Sequence, residues 1–188
     1  YSTSVQSAYN AIFVSRFTTL IKNKPIILTS APLQNSGIID ISVNPQDLFI
    51  YAGSKGREFR AADGAIISYP IEKEKQEMLD TLNARLSELT KQKEYKDFKR
   101  IGSGLQFKFG QTTMARQDIQ QSIESERSES FLQEVESLVQ KIDPDGRYFR
   151  IEDTGLDIEI ILTIDRNGSA KDFDKGDGIL FINEQQNL

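Results

Sequence analysis

Two glycine-punctuated, β-like stretches flank two long helical patterns, and this order restricts the folds open to the chain. The first stretch runs from Ile26-Ile27-Leu28-Thr29-Ser30-Ala31-Pro32 to Ala52-Gly53-Ser54. The second runs from Asn167-Gly168-Ser169 through Lys175-Gly176-Asp177-Gly178 to Ile179-Leu180-Phe181-Ile182. The simplest arrangement is one small β module interrupted by a helical hairpin. Such a hairpin extends reach and contributes little to enclosing a substrate, so the expected role is mechanical or connective.

Composition narrows the classes further. A chain of 188 residues with 38% hydrophobic residues suffices for one ordinary domain, or for a small domain with an elongated insertion. Its 23 Lys and Arg against 28 Asp and Glu give a net charge of -5 without a basic block, which argues against generic binding to nucleic acid or anionic lipid. It has no cysteine, which excludes disulfides and thiolate metal sites, and no histidine, which removes the commonest general base and metal ligand near neutral pH. No apolar run approaches the roughly 20 residues that span a bilayer. Because the chain opens on Tyr1 and not on Met, an N-terminal signal or anchor is expected to precede it.

Along the chain, residues 9–21 are aromatic and β-branched and read as a strand, although Val5, Tyr9, Ile12 and Phe13 also lie on one helical face. Further strands are expected at 26–30, 39–43, 48–51 and 65–69, with turns at 22–25, 35–37 and 44–47. Pro70 suits the first turn of a helix. Beyond it, Leu79, Leu82, Leu86 and Leu89 form an a/d seam. The run breaks at Ile101-Gly102-Ser103-Gly104, and Thr112 or Thr113 caps an expected second helix over 114–142 with the stripe Ile119, Ile123, Phe131, Val135, Leu138 and Ile142. Paired antiparallel, arms of about 30 residues reach roughly 45 Å. Asp143-Pro144-Asp145-Gly146 ends the helix, and strands follow at 148–152, 156–164 and 179–182.

Ser30-Ala31-Pro32, Gly37-Ile38-Ile39 and Ala52-Gly53, with Asn167-Gly168-Ser169, Lys175-Gly176-Asp177 and Ile179-Leu180-Phe181-Ile182, resemble the two half-motifs of the periplasmic adaptor, or membrane fusion, proteins of the HlyD-like family. Two departures stand out: Glu152-Asp153-Thr154-Gly155 replaces the second Ala-Pro pair, and Asn44-Pro45-Gln46-Asp47 replaces a glycine-containing turn. The resemblance implies an α+β chain: a lipoyl-like barrel-sandwich module built from residues 5–68 and 143–188, interrupted by an antiparallel α-helical hairpin over 70–142. It implies a non-catalytic periplasmic adaptor, held at the inner membrane by a segment before Tyr1. The adaptor would join an inner-membrane transporter or synthase to an outer-membrane channel and would assemble as a homo-oligomer. Arg100, Leu105, Phe107, Phe109 and Thr112 would form the partner-binding tip of the hairpin, Arg100, Leu105 and Thr112 only loosely echoing the family pattern.

The alternative is a coiled-coil interaction scaffold without a conduit. No cofactor is expected: Lys175 precedes Gly176-Asp177 as in an ordinary turn, not as a modified lysine at a hairpin tip. Asp165, Asn167 and Ser169 begin like a calcium loop, but Ala170 and Gly176 occupy the places of its glycine and its bidentate acid. Asp172, Asp174 and Asp177 are close enough in sequence to suggest a hard-cation site or an enzyme, and a polar turn explains them better. Gly102-Ser103-Gly104 lacks the third glycine and the lysine of a phosphate loop.

Overall fold

A computed structural model describes residues 12–13, 15–33, 49–61, 64–166 and 168–186. The strand expected at 39–43, the turns at 35–37 and 44–47, and the Gly37 and Asn167 motif positions lie outside these residues. The chain forms two compact units, Tyr1–Tyr69 with Asp174–Leu188, and Pro70–Phe173.

The first unit contains strands β1 (Ile26–Leu28), β2 (Ile50–Gly53), β3 (Glu58–Arg60) and β4 (Ile66–Ser68), ordered β1-β2-β3-β4. β1 runs parallel to β2, with Ile27 opposite Tyr51, and the other two pairings are antiparallel. The sheet is covered on both faces, as the short, unbroken apolar runs of β1 and β2 require. Ile50, Ala52 and Phe59 pack with Phe181 and Ile182 on one side, and Leu33, Phe49 and Tyr51 cluster on the other. Residues 12–13 and 15–18 are helical, not extended as the run over 9–21 suggested.

Ile179 to Ile182, expected as a strand, lies inside a helix over Lys175–Gln186. Its start is fixed by a reciprocal cap: Asp177 N–H donates to Asp174 Oδ1 (3.0 Å), and Asp174 N–H donates to Asp177 Oδ2 (3.0 Å). Burial then follows helical spacing. Gly178, Phe181 and Ile182 face inward, while Ile179 and Leu180 are half exposed, a pattern that the alternation of a strand cannot produce.

The second unit repeats one motif, a helix followed by two strands. Helix α1 (Lys73–Leu89) leads to β5 (Leu105–Lys108) and β6 (Gln111–Ala115), and helix α2 (Ser125–Ile142) leads to β7 (Phe149–Asp153) and β8 (Asp157–Arg166). The last helix of the chain, Lys175–Gln186, is α3. The sheet is antiparallel, ordered β5-β6-β8-β7, with β9 (Ser169–Asp172) paired to β8.

The leucine seam does what such seams usually do. Leu79, Leu82, Leu86 and Leu89 pack with Phe131, Leu132, Val135 and Val139 of α2 and with Met114, Ile158, Ile160 and Leu162 of the sheet in one core. The expected helical hairpin is therefore absent. Its helices are 17 and 18 residues long and are separated by a β-hairpin, and both lay their apolar faces on a sheet. After α1 the chain turns at once into an aromatic cluster, where Phe98 stacks on Phe131 at 3.9 Å and Tyr95 lies 5.3 Å from the same ring. The lipoyl-like, hairpin-bearing fold gives way to an α/β fold with two sheets.

Candidate functional site

In the first unit three segments meet at the carboxyl ends of the parallel strands, the edge at which open α/β sheets commonly bind ligands. β1 ends at Leu28 and continues into Thr29-Ser30-Ala31, while β2 ends at Gly53 and continues into a 3-10 turn, Ser54–Gly56. Two backbone bonds join the exits: Lys55 N–H donates to Thr29 O (2.9 Å) and Ser54 N–H to Ala31 O (2.8 Å). The buried Glu58 carboxylate ties them again. Its Oε1 accepts the Leu33 N–H (2.9 Å) and the Ser54 hydroxyl (2.7 Å).

The turn carries left-handed backbone at Ser54 (φ 50), Lys55 (φ 62) and Gly56 (φ 92), a conformation that side chains rarely adopt. Two successive non-glycine residues held this way mark a place that the surroundings over-determine. The third segment, the start of α3, supplies that constraint. A Cβ on Gly56 would stand 2.6 Å from Gly178 Cα, so the two backbones touch where only glycines fit. Lys175, exposed and one turn before Gly178, is thereby placed at the same edge. The half-buried Ser30 hydroxyl, the Lys175 ammonium and a helix N-terminus together suit an anion.

The second unit carries its polar residues on the sheet face away from its helices. Lys108, Gln111, Ile161 and Arg150 form one row across the four strands, and Gln106, Thr113, Glu159 and Glu152 the next. Gln111 is fully buried with neither amide oxygen nor nitrogen hydrogen-bonded, and the buried Thr113 hydroxyl likewise lacks a partner among the described residues. Buried polar groups are nearly always satisfied, so these two are exceptions that the unit's own hydrogen bonding does not explain.

A cleft of about 430 Å³ opens in the same unit beside Lys75, Tyr148 and Arg150. The Lys75 ammonium donates to Thr163 O (3.3 Å) and pairs with Asp165 (3.2 Å) and Glu72 (3.7 Å). Tyr148 donates its hydroxyl to Glu74 (3.1 Å), and that bond raises the phenol's pKa above its ordinary value.

The five residues expected at a hairpin tip are dispersed over a β-hairpin and its approach. Arg100 is exposed just after a 3-10 turn, Leu105 and Phe107 lie on β5, and Phe109 is in the turn to β6. Thr112 is buried on β6, its hydroxyl donating to Asn83 (2.5 Å). The carboxylates near the end of the chain do not gather: Asp172 faces Arg150 (3.8 Å), and Asp174 and Asp177 cap a helix. Among the described residues, no group of three or more acidic residues is placed to hold a metal ion.

Sequence reasoning passed over Ser30, Ser54, Lys55, Gln111 and Thr113 as functional groups, and it treated Lys175 as part of a plain turn. A signal was present in apolar runs that end in Thr29-Ser30 and Gly53-Ser54, and in Asp174 three residues ahead of Asp177 before an apolar stretch.

Comparison with known proteins redirects the functional argument. The family profile described as Trehalose-6-phosphate phosphatase, C-terminal, matches residues 1–188. An alpha,alpha-trehalose-phosphate synthase [UDP-forming] 2 of Caenorhabditis elegans is 30% identical over 98% of this chain, which spans 15% of that protein. A trehalose-phosphatase of the same nematode is 28% identical over 98% of this chain, which spans 42% of it. Among solved structures, the C-terminal domain of a Candida albicans trehalose synthase regulatory protein superposes with a TM-score of 0.65 at 10% identity, covering 100% of this chain and 59% of its own. A Thermotoga maritima protein gives a TM-score of 0.55 at 13% identity, covering 98% and 69%. These two likenesses concern the fold alone.

These findings overturn the adaptor resemblance. The expectation of a non-catalytic protein falls, because the matched family is one of phosphatases. Nothing remains to support a transporter, a synthase or a channel as partner, or a conduit-forming homo-oligomer. The scaffold alternative gains nothing, since the leucine seam is buried against its own sheet. The periplasmic location and the inner-membrane anchor followed from the resemblance alone and fall with it. Among the described residues no helix is long and apolar enough to cross a membrane. Matched along its whole length, the chain belongs to the trehalose-6-phosphate phosphatase, C-terminal family.

Proposed function

We propose that this chain takes part in hydrolysing a sugar phosphate monoester, trehalose 6-phosphate in the first instance, and that its first unit holds the phosphoryl group. The observation that carries this reading is the convergence of Ser30, the Ser54–Gly56 turn and the start of α3 at the carboxyl ends of β1 and β2. The family match and the relatives named trehalose-phosphatase supply the substrate class.

Phosphoryl transfer is catalysed largely by positioning and by stabilising charge on the phosphoryl oxygens. In this reading the Lys175 ammonium offers a positive point charge, the Ser30 hydroxyl donates a hydrogen bond, and the N–H groups opening α3 add their dipole. The knot of Glu58, Leu33 and Ser54 holds the strand exits still, so little reorganisation is needed when the anion arrives.

The test is phosphate release from trehalose 6-phosphate by the full-length protein and by its Lys175→Met and Ser30→Ala variants. Loss of a preorganised donor to the transition state predicts a fall in kcat of about 10²-fold or more for Lys175→Met. A folded Lys175→Met variant as active as the parent would sink the assignment. A second reading has its own observation, the 30% identity to a synthase. In that reading the chain is a phosphatase-like regulatory module, and the full-length protein would bind trehalose 6-phosphate without releasing phosphate.

A further inference from the structure

Arg57 is the largest fully buried side chain in the described molecule, at 1% exposure. Burial of its guanidinium lowers its pKa to about 10, and Tyr69 and Asp177 act in the opposite sense. Buried charge pairs are often no more stabilising than apolar residues of equal volume, so stability alone does not account for an arginine here.

Its surroundings offer another account. Arg57 follows the left-handed turn, donates its N–H to Ser54 O (3.2 Å) and accepts the Tyr69 N–H on its carbonyl (2.6 Å). Its neighbour Gly56 touches Gly178, and the residue before Gly178 is Asp177, itself only 7% exposed. Asp177 is also the acceptor in the cap that begins α3, two residues after Lys175. Arg57 and Asp177 thus adjoin the same backbone contact from its two strands of sequence, a buried cation on one side and a buried carboxylate on the other.

We propose that Arg57 is a positioning residue: through Asp177 it holds the first turn of α3 against the turn between β2 and β3, and so fixes where the Lys175 ammonium stands. The value of that placement for turnover rests on the phosphatase reading above. The placement itself does not, and the two are separable by experiment.

The full-length protein and its Arg57→Met, Arg57→Lys and Asp177→Asn variants would be compared by phosphate release from trehalose 6-phosphate and by hydrogen exchange at the amides of residues 175–178. Arg57→Met is expected to lower kcat about tenfold with a much smaller change in KM, and to speed exchange at Asp177 and Gly178 by a similar factor. Arg57→Lys should recover part of both. Combining Arg57→Met with Asp177→Asn should add little to either alone, because both act through one contact.

Unchanged exchange and unchanged kcat in a folded Arg57→Met variant would overturn the proposal, as would strictly additive effects of the two substitutions. Should Arg57→Met fail to fold, Arg57→Lys and Asp177→Asn decide by the same two readouts. Accelerated exchange in a protein that releases no phosphate would uphold the positioning role and reject the phosphatase reading instead.

Discussion

In the first unit the buried Glu58 carboxylate accepts both the Leu33 N–H and the Ser54 hydroxyl, whereas in the second unit the fully buried Gln111 amide has no partner at either end among the described residues. Both residues sit on sheets, and both are polar and out of water. The difference lies in what each is for. Glu58 fixes backbone, drawing two strand exits into one rigid edge. Gln111 makes no such tie through its amide among the described residues, and its cross-strand neighbours are Lys108 and Ile161. A satisfied buried group rigidifies its surroundings, whereas an unsatisfied one leaves its desolvation cost unmet.

The largest test asks whether the second unit's stability resides where the comparison places it, in the helix-bearing face alone. Phe131 stacks on Phe98 and is fully buried between α2 and the loop after α1. Phe131→Ala should cost ~3–5 kcal/mol, measured by urea unfolding. A loss under ~1 kcal/mol would mean that the aromatic cluster is not the keystone of this core.

The next test addresses the rigidity of the first unit. A Cβ on Gly178 would lie 2.8 Å from Gly56 Cα and would also meet the Lys55 carbonyl, both of them backbone. Backbone cannot swing aside as a flexible side chain can. Gly178→Ala should therefore cost ~1–3 kcal/mol despite alanine's better helix propensity. A neutral outcome would show that α3 is free to shift, and with it the placement of Lys175.

What the sequence disclosed followed from how local each signal was. The leucines of α1 were legible because spacing over one helix is enough to identify a buried stripe, and all four are buried. The β-like runs at 26–30 and 48–51 were legible from apolar residues bounded by turn residues, and strands stand at Ile26–Leu28 and Ile50–Gly53, yet their parallel pairing was not, since it depends on a partner distant in sequence. The second helix was drawn too early because Ile119 fell into its apolar stripe. Ile119 is in fact 86% exposed, in a loop where the Gln117 side chain accepts the Asp118 and Ile123 N–H groups. Residues 179–182 are four consecutive apolar residues, which fit a strand or a helix equally. The deciding term was the Asp174–Asp177 cap before them. The site was least legible of all, for the Ser54–Gly56 turn meets the exit of β1 and the start of α3 only through tertiary contacts.

A smaller effect, opposite in sign, bears on the orphaned amide. If the Gln111 amide contributes nothing to the fold, replacing it with an apolar residue of similar size removes an unmet desolvation cost. Gln111→Leu should leave stability unchanged or raise it by up to ~1 kcal/mol, as read by urea unfolding. Marked destabilisation would assign Gln111 to the fold and erase the contrast with Glu58.

The smallest effect lies at the exposed edge of the second unit's cleft, where a polar contact is satisfied but not buried. Tyr148 donates to Glu74 at 3.1 Å, a bond that only the protonated phenol can make, and its pKa is accordingly raised from the ordinary 10.0. A folded-state pKa above the unfolded one means that the native state retains the proton longer. The contribution is whole below pH 10 and is lost as the pH climbs through the folded value. Tyr148→Phe should therefore be slightly less stable than the parent near neutrality and should converge with it above that value, as followed by thermal unfolding across pH 8–12. Because water competes for both partners, the gap is expected to be far smaller than that of Gly178→Ala. A gap that persists undiminished at the alkaline end would mean that the ring's packing, including the Arg147 guanidinium 5.6 Å above it, and not the hydroxyl, is what this edge contributes.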